Sequence, residues 1–213
     1  MRLIYRLTQW ALVACFKVYF RLGIRGKERV PLEGPVLLAS THASYLDPML
    51  VGAPIARPSC YLARRTLFRP KWWGAVLRAY GAIPLEREGI GVSALRTVLE
   101  LLKSDNCVVI FPEGTRSEDG RLRPLKGGVG MLARRSGARV VPVAIVGNEN
   151  AWRRGSSIPR PVRITMRYGE PMEIGPDEGE EQFLERLRDR LEILRDEALA
   201  STGANGRSRS AAA

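Results

Sequence analysis

The chain has 213 residues, 45% of them hydrophobic, enough for one domain with a sizeable core, and this composition excludes a globally disordered protein. Its formal charge of +12 is uneven: residues 1–170 carry 28 Lys and Arg against 12 Asp and Glu, whereas residues 171–213 carry 6 against 10. The main body therefore favours anionic partners, and charge alone leaves phosphate esters, anionic lipid and nucleic acid open. Cys15, Cys60 and Cys107 are odd in number and far apart, which argues against a disulfide framework or a zinc site and suits a reducing compartment. One histidine and no dense carboxylate cluster argue against a bound catalytic metal.

The N-terminal stretch contains a charge-free interval, residues 7–16, of only ten residues, against the ~20 that span a bilayer as a helix. At helical spacing Arg2, Arg6, Gln9, Lys17 and Arg21 share one sector, leaving Leu3, Ile4, Leu7, Trp10, Leu12, Phe16, Tyr19 and Phe20 outside it. This pattern predicts an amphipathic helix lying on a membrane surface with anionic lipids; the alternative is a helix packed on the protein's own core. LVAC at residues 12–15 also has the form of a lipoprotein processing site, which would make Cys15 a lipidated N-terminus. Thr8 and Gln9 interrupt the preceding apolar region and the amphipathic period continues through Phe20, both against that reading.

Residues 35–39 (PVLLA) predict a buried strand ending at Ser40, Thr41 and His42. Asp47 and Pro48 read as N-cap and first residue of a helix. Helical spacing recurs at residues 72–80 and 93–103. Residues 107–111 predict a strand running into a polar loop, 128–136 a helix, 139–146 a second buried strand and 162–168 an alternating edge strand. From Glu180 an amphipathic helix follows, and residues 201–213 read as a disordered tail. Buried runs alternating with helices indicate an α/β fold with a central mixed, largely parallel sheet flanked by helices.

His42, the single histidine, lies five residues before Asp47. On a continuous helix that spacing would point the two side chains well apart, but a strand end turning into a helix can bring them together. The carboxylate would then hold one ring nitrogen and leave the other free to take a proton from a hydroxyl. Read alone, the pair is better explained as a plain cap and a satisfied, half-buried histidine. Ser44 is a poor nucleophile: no Gly-x-Ser-x-Gly turn frames it and no second histidine is present.

Two further stretches, GAIPLER at residues 81–87 and FPEGTRS at residues 111–117, each place an arginine in a loop near a glycine, a combination suited to phosphate. With His42–Asp47 and the run VPVAI at residues 141–145 they form an ordered set. On these residues the sequence resembles the glycerolipid acyltransferase family, typified by the bacterial 1-acylglycerol-3-phosphate acyltransferases. The family's blocks are His-x4-Asp, Gly-x-Ile-x-x-x-Arg, Phe-Pro-Glu-Gly-Thr-Arg-Ser and a Val-Pro-Val-rich strand. All four stand here in order, and the likeness extends from about residue 25 to residue 173. Thr41 stands where the family often has Asn.

The resemblance implies that His42 is the general base and Asp47 its orienting partner. It implies that Arg87, Glu113, Gly114, Thr115 and Arg116 bind the phosphate and glycerol of the acceptor, and that residues 141–145 shape the acyl-side pocket. It further implies direct transfer from an acyl-CoA or acyl carrier protein thioester to the sn-2 hydroxyl of lysophosphatidic acid, with no metal, cofactor or acyl-enzyme. Arg64, Arg65, Arg69 and Lys71 beside Leu67, Phe68, Trp72 and Trp73 suit a membrane-facing rim or, equally, a solvated basic face. The expected organisation is an interfacial helix over residues 1–26, an acyltransferase domain over 27–200 and a tail over 201–213, on the cytoplasmic face of the cell membrane. Other lysolipid acceptors, or a non-catalytic protein binding anionic lipid or nucleic acid, are the competing readings.

Overall fold

Consecutive apolar residues leave a strand no polar side to turn to water, so such strands settle in the middle of a parallel sheet covered on both faces. The computed structural model describes the backbone of residues 2–85, 91–152 and 158–210, and the side chains of residues 9–85, 91–152 and 158–202. In chain order the elements are α1 (Arg2–Tyr19), β1 (Gly23–Arg25), β2 (Val36–Ser40), α2 (Asp47–Gly52), β3 (Ser59–Arg64), α3 (Lys71–Ala79) and β4 (Ala82–Leu85). They continue with α4 (Val92–Lys103), β5 (Cys107–Ile110), α5 (Gly128–Ser136), β6 (Arg139–Val146), β7 (Thr165–Tyr168) and α6 (Glu180–Ser210).

The strands form one sheet in the order β1-β7-β6-β2-β5-β3-β4. All neighbouring pairs are parallel except β6 with β7, so the sheet is mixed and largely parallel, as the sequence indicates. β2 lies at its centre, with all five residues buried. Alternation along β2 divides the core: Val36 and Leu38 join Phe16 from α1, Phe20 just after it, Leu50 from α2 and Leu77 from α3. Leu37 and Ala39 join Leu102, Leu132, Phe183 and Leu187 from α4, α5 and α6 on the opposite face.

Three expectations need correction. The stretch 162–168 is not an edge: β7 lies between β6 and β1, and β1 and β4 are the outer strands. β1 falls inside the segment assigned to the interfacial helix, where Gly23, Ile24 and Arg25 pair with β7. Gln9, placed in the polar sector of α1, is instead buried at 5% exposure, while Trp10 and Val18 stand 76% and 82% exposed. The helix thus presents Phe16 to the core, with Phe20 just beyond its end, and a second apolar strip outward. No helix among the described residues is long and apolar enough to cross a membrane.

At the other end the structure carries α6 to Ser210, into the stretch expected as a tail. Thr202 anchors this extension through its hydroxyl, which meets Ala198 O at 2.9 Å and Thr165 Oγ1 at 2.9 Å. Residues 211–213 lie outside the described residues.

Candidate active site

Because β2, β5, β3 and β4 are parallel neighbours, the loops leaving their C-terminal ends gather along one edge of the sheet, where open α/β sheets place their ligands. β2 delivers His42 there and β5 delivers the loop that begins at Phe111. Thr41 fixes the exit of β2: its N–H donates to Val143 O at 3.0 Å and its hydroxyl accepts from Ile145 N at 3.0 Å. The VPVAI run of β6 is therefore buried scaffold beneath the histidine, with Val141, Val143, Ala144 and Ile145 all in the core.

His42 and Asp47 are brought together as the sequence suggests. His42 Nδ1 lies 2.8 Å from Asp47 Oδ2, with the imidazole 18% exposed and the carboxylate fully buried. Asp47 is not the helix cap: α2 begins at Asp47, Leu46 occupies the cap position, and no side-chain cap forms. The carboxylate instead gathers the turn before the helix, with Oδ2 accepting from Ala43 N and Ser44 N at 2.8 Å each. Oδ1 accepts from Asn148 Nδ2 at 2.7 Å. Three fixed N–H donors converge on one buried carboxylate, and its fourth contact takes the Nδ1–H of the tautomer that leaves the Nε2 lone pair free. Nε2 has no hydrogen bond among the described residues.

The imidazole is held in plane by Phe111, whose ring stacks on it at 3.9 Å between centroids and 20° between planes. The main chain is held by Glu113: Oε1 accepts from His42 N and Oε2 from Arg123 N, both at 2.9 Å. Burial pushes the Glu113 carboxyl above its ordinary value, and the two N–H donors and the cationic surroundings offset part of that rise. Ser117 N completes the clamp by donating to His42 O at 2.7 Å. Expected as a ligand contact, Glu113 has both oxygens engaged inside the protein. Ser44 is fully buried, and its hydroxyl accepts from Leu46 N at 3.4 Å, consistent with rejecting it as a nucleophile.

Of the other expected contacts, Thr115 is exposed and Arg116 half-buried. The Arg116 guanidinium lies over the Tyr45 ring at 3.6 Å, and Tyr45 in turn meets Trp152 edge-on at 6.1 Å, so the charge is parked on an aromatic platform beside the histidine turn. Gly114 has φ +69°, and a side chain there would strike Lys126 at 2.6 Å from both Cε and Nζ. A second cation, Lys126, therefore rests against this loop. Arg87 lies outside the described residues.

Asn148, Phe111 and Lys126 were not singled out from the sequence. Asn148 stands 101 positions from Asp47 and reaches it only because β6 neighbours β2. A short polar side chain directly after a buried strand and the Gly147 turn was the one available signal, and it is weak.

The sequence model of the family described as Acyltransferase matches residues 21–146, which include His42, Asp47 and the whole FPEGTRS loop. The chain belongs to the Acyltransferase family. It is 32% identical over 150 residues to the 1-acyl-sn-glycerol-3-phosphate acyltransferase of Bacillus subtilis, covering 70% of this chain and 72% of that one. It is 31% identical over 150 residues to a chloroplast 1-acyl-sn-glycerol-3-phosphate acyltransferase of Arabidopsis thaliana, 69% of this chain but 42% of that one. The chain thus spans most of the bacterial relative and less than half of the plant one. In fold, this acyltransferase superimposes on the crystal structure of the 1-acyl-sn-glycerophosphate acyltransferase PlsC from Thermotoga maritima with a TM-score of 0.68. That match has 24% identity, covering 83% of this chain and 71% of that one.

Proposed function

We propose that this acyltransferase transfers an acyl group from an acyl thioester to the sn-2 hydroxyl of 1-acyl-sn-glycerol 3-phosphate, forming phosphatidic acid. The observation that carries the reading is the His42 Nδ1–Asp47 Oδ2 contact of 2.8 Å, which turns the other ring nitrogen into a proton acceptor at a sheet edge bearing Arg116 and Lys126. The relatives named for this activity support the choice of reaction.

His42 Nε2 takes the proton of the acceptor hydroxyl as its oxygen attacks the thioester carbonyl. The imidazolium that forms is stabilised by the Asp47 carboxylate. The tetrahedral intermediate collapses with loss of the thiolate, which recovers the proton from His42, so no acyl-enzyme is needed. Asn148, Phe111 and Glu113 act through the histidine as positioning residues. Arg116, with Lys126 beside Gly114 and the exposed Thr115, supplies the donors for the acceptor's phosphate, and Arg87 belongs with them by its place in the family blocks.

Trp10 and Val18 on the outward strip of α1 suit a protein lying on the membrane surface that holds its lipid acceptor, at the cytoplasmic face where thioester donors occur. A non-catalytic protein binding anionic lipid or nucleic acid would leave the His42–Asp47 pair without a task. The test is product analysis with oleoyl-CoA or oleoyl-carrier protein and a panel of lysolipids in mixed micelles. Phosphatidic acid formed in preference to other products supports the reading. Acylation of a phosphate-free lysolipid alone would replace the acceptor.

A further inference from the structure

The stretch 41–50 folds tightly around the Asp47 carboxylate, and Tyr45 is its single exposed residue, at 41%. The turn beneath the ring is pinned: Ala43 N and Ser44 N donate to Asp47 Oδ2, and Leu46 N donates to Ser44 Oγ. The ring is also backed, since Trp152, packed against the core, meets it edge-on at 6.1 Å. Tyr45 therefore holds its ring at a fixed place relative to His42, three positions earlier in the same turn. Burial of apolar surface does not account for a large aromatic side chain that is so exposed.

Its other face carries Arg116. Among the described residues this guanidinium makes no ion pair and no side-chain hydrogen bond, so no carboxylate places it. What places the charge is the Tyr45 ring, with 3.6 Å from Cζ to the ring centroid. At that separation the guanidinium lies face to face with the ring, because an edge-on fork would put its N–H groups between the two and hold Cζ farther off. Stacking occupies the flat face of the guanidinium and leaves its in-plane N–H donors open, which is the arrangement that bidentate binding of a phosphate requires. The base of the side chain is referred to the same turn, since Ser117, the next residue, donates from its N–H to His42 O at 2.7 Å. An arginine without the ring would spread over many rotamers, and each incoming phosphate would have to order it afresh.

We propose that Tyr45 is a positioning residue for the acceptor: its ring holds Arg116 with its donors open and so sets the enzyme's grip on the phosphate. The assignment rests on the acyl-transfer reading above and adds to it a residue of the histidine turn that acts through the arginine.

The experiment compares wild type with Tyr45→Leu, Tyr45→Gln and Tyr45→Phe, with unfolding temperatures measured on all four proteins. Loss of the ring is expected to raise the KM for lysophosphatidic acid about three- to tenfold in the Leu and Gln variants. Their kcat and donor KM stay within about twofold, as expected for a lost acceptor contact. Tyr45→Phe, which keeps the ring and discards the hydroxyl, restores the wild-type acceptor KM. In an Arg116→Gln background Tyr45→Leu adds no further rise, because both changes remove one contact. An unchanged acceptor KM overturns the assignment. So does a rise that adds in full to that of Arg116→Gln, or a fall in kcat that tracks a loss of folded protein. Calorimetric titration with lysophosphatidic acid, the donor omitted, separates the two claims. Binding weakened in Tyr45→Leu and restored in Tyr45→Phe, in a protein that acylates no lysolipid, would leave Tyr45 standing and remove the acyl-transfer reading. Phosphatidic acid formed by Tyr45→Leu at an unaltered acceptor KM would do the reverse.

Discussion

Asn148 Nδ2 lies 2.7 Å from Asp47 Oδ1, in a position where both side chains are almost wholly buried. This contact closes the one face of the carboxylate that His42 and the backbone of Ala43 and Ser44 leave open. Replacing Asn148 by Leu removes the donor at similar volume and leaves Oδ1 buried without a partner, at about 1–3 kcal/mol in stability. The expected kinetic result is a fall of about tenfold or more in kcat with little change in either KM, since His42 loses orientation and not substrate contact. Asn148→Ser, which keeps a donor, restores part of the rate.

Asp47→Asn has a larger effect. Three N–H donors converge on Oδ2, and an amide can satisfy them only by turning its own NH2 toward Asn148 or into the cluster. The His42 tautomer is then no longer fixed, and kcat falls on the order of 100- to 10,000-fold. Thermal unfolding measured alongside shows whether the rate loss exceeds the loss of folded protein.

Arg116→Lys tests the loop's charge geometry. Lysine keeps the charge but lacks the planar fork and its stacking on Tyr45. The KM for lysophosphatidic acid rises about tenfold, and the donor KM stays unchanged.

Glu113 gives a pH signature of folding. Its pKa is raised above the ordinary 4.5, so the unfolded chain ionises first, and the folded state loses relative stability as pH rises from about 4.5 through the raised value. Below that window the carboxyl is protonated in both states and no such loss exists. The unfolding-temperature difference between wild type and Glu113→Gln, followed from about pH 4 to about pH 7, therefore moves against wild type as pH increases. A flat difference would mean that Glu113 ionises normally.

Much of the fold could be read directly because it rests on long signals. The apolar run of β6 and the helical spacing of α5 appear with the bounds the sequence predicts, Arg139–Val146 and Gly128–Ser136. β3 and β4 could not be read this way. The segment SCYLAR mixes polar and apolar residues, and AIPL is only four residues long and contains Pro84, whose missing N–H weakens a strand signal that short. At the site, the meeting of His42 and Asp47 was legible because a strand-to-turn junction is the geometry that lets positions five apart converge. Glu113 was assigned to ligand by its neighbours in the FPEGTRS loop, yet its two oxygens fasten His42 and Arg123 backbone. No local pattern distinguishes a carboxylate that faces a ligand from one that ties a loop. Asn148 depends on strand order, which one sequence does not contain.

The most direct measurement is acyl transfer from oleoyl-CoA or oleoyl-carrier protein to 1-acylglycerol 3-phosphate by wild type and His42→Ala, with unfolding temperatures determined on both. The expected result is phosphatidic acid from wild type and a loss of at least about 100-fold in the variant at an unchanged fold, the lower end for removing a general base. Equal product from both proteins would contradict the role of His42, and no product from a folded wild type with either donor would contradict the reaction itself.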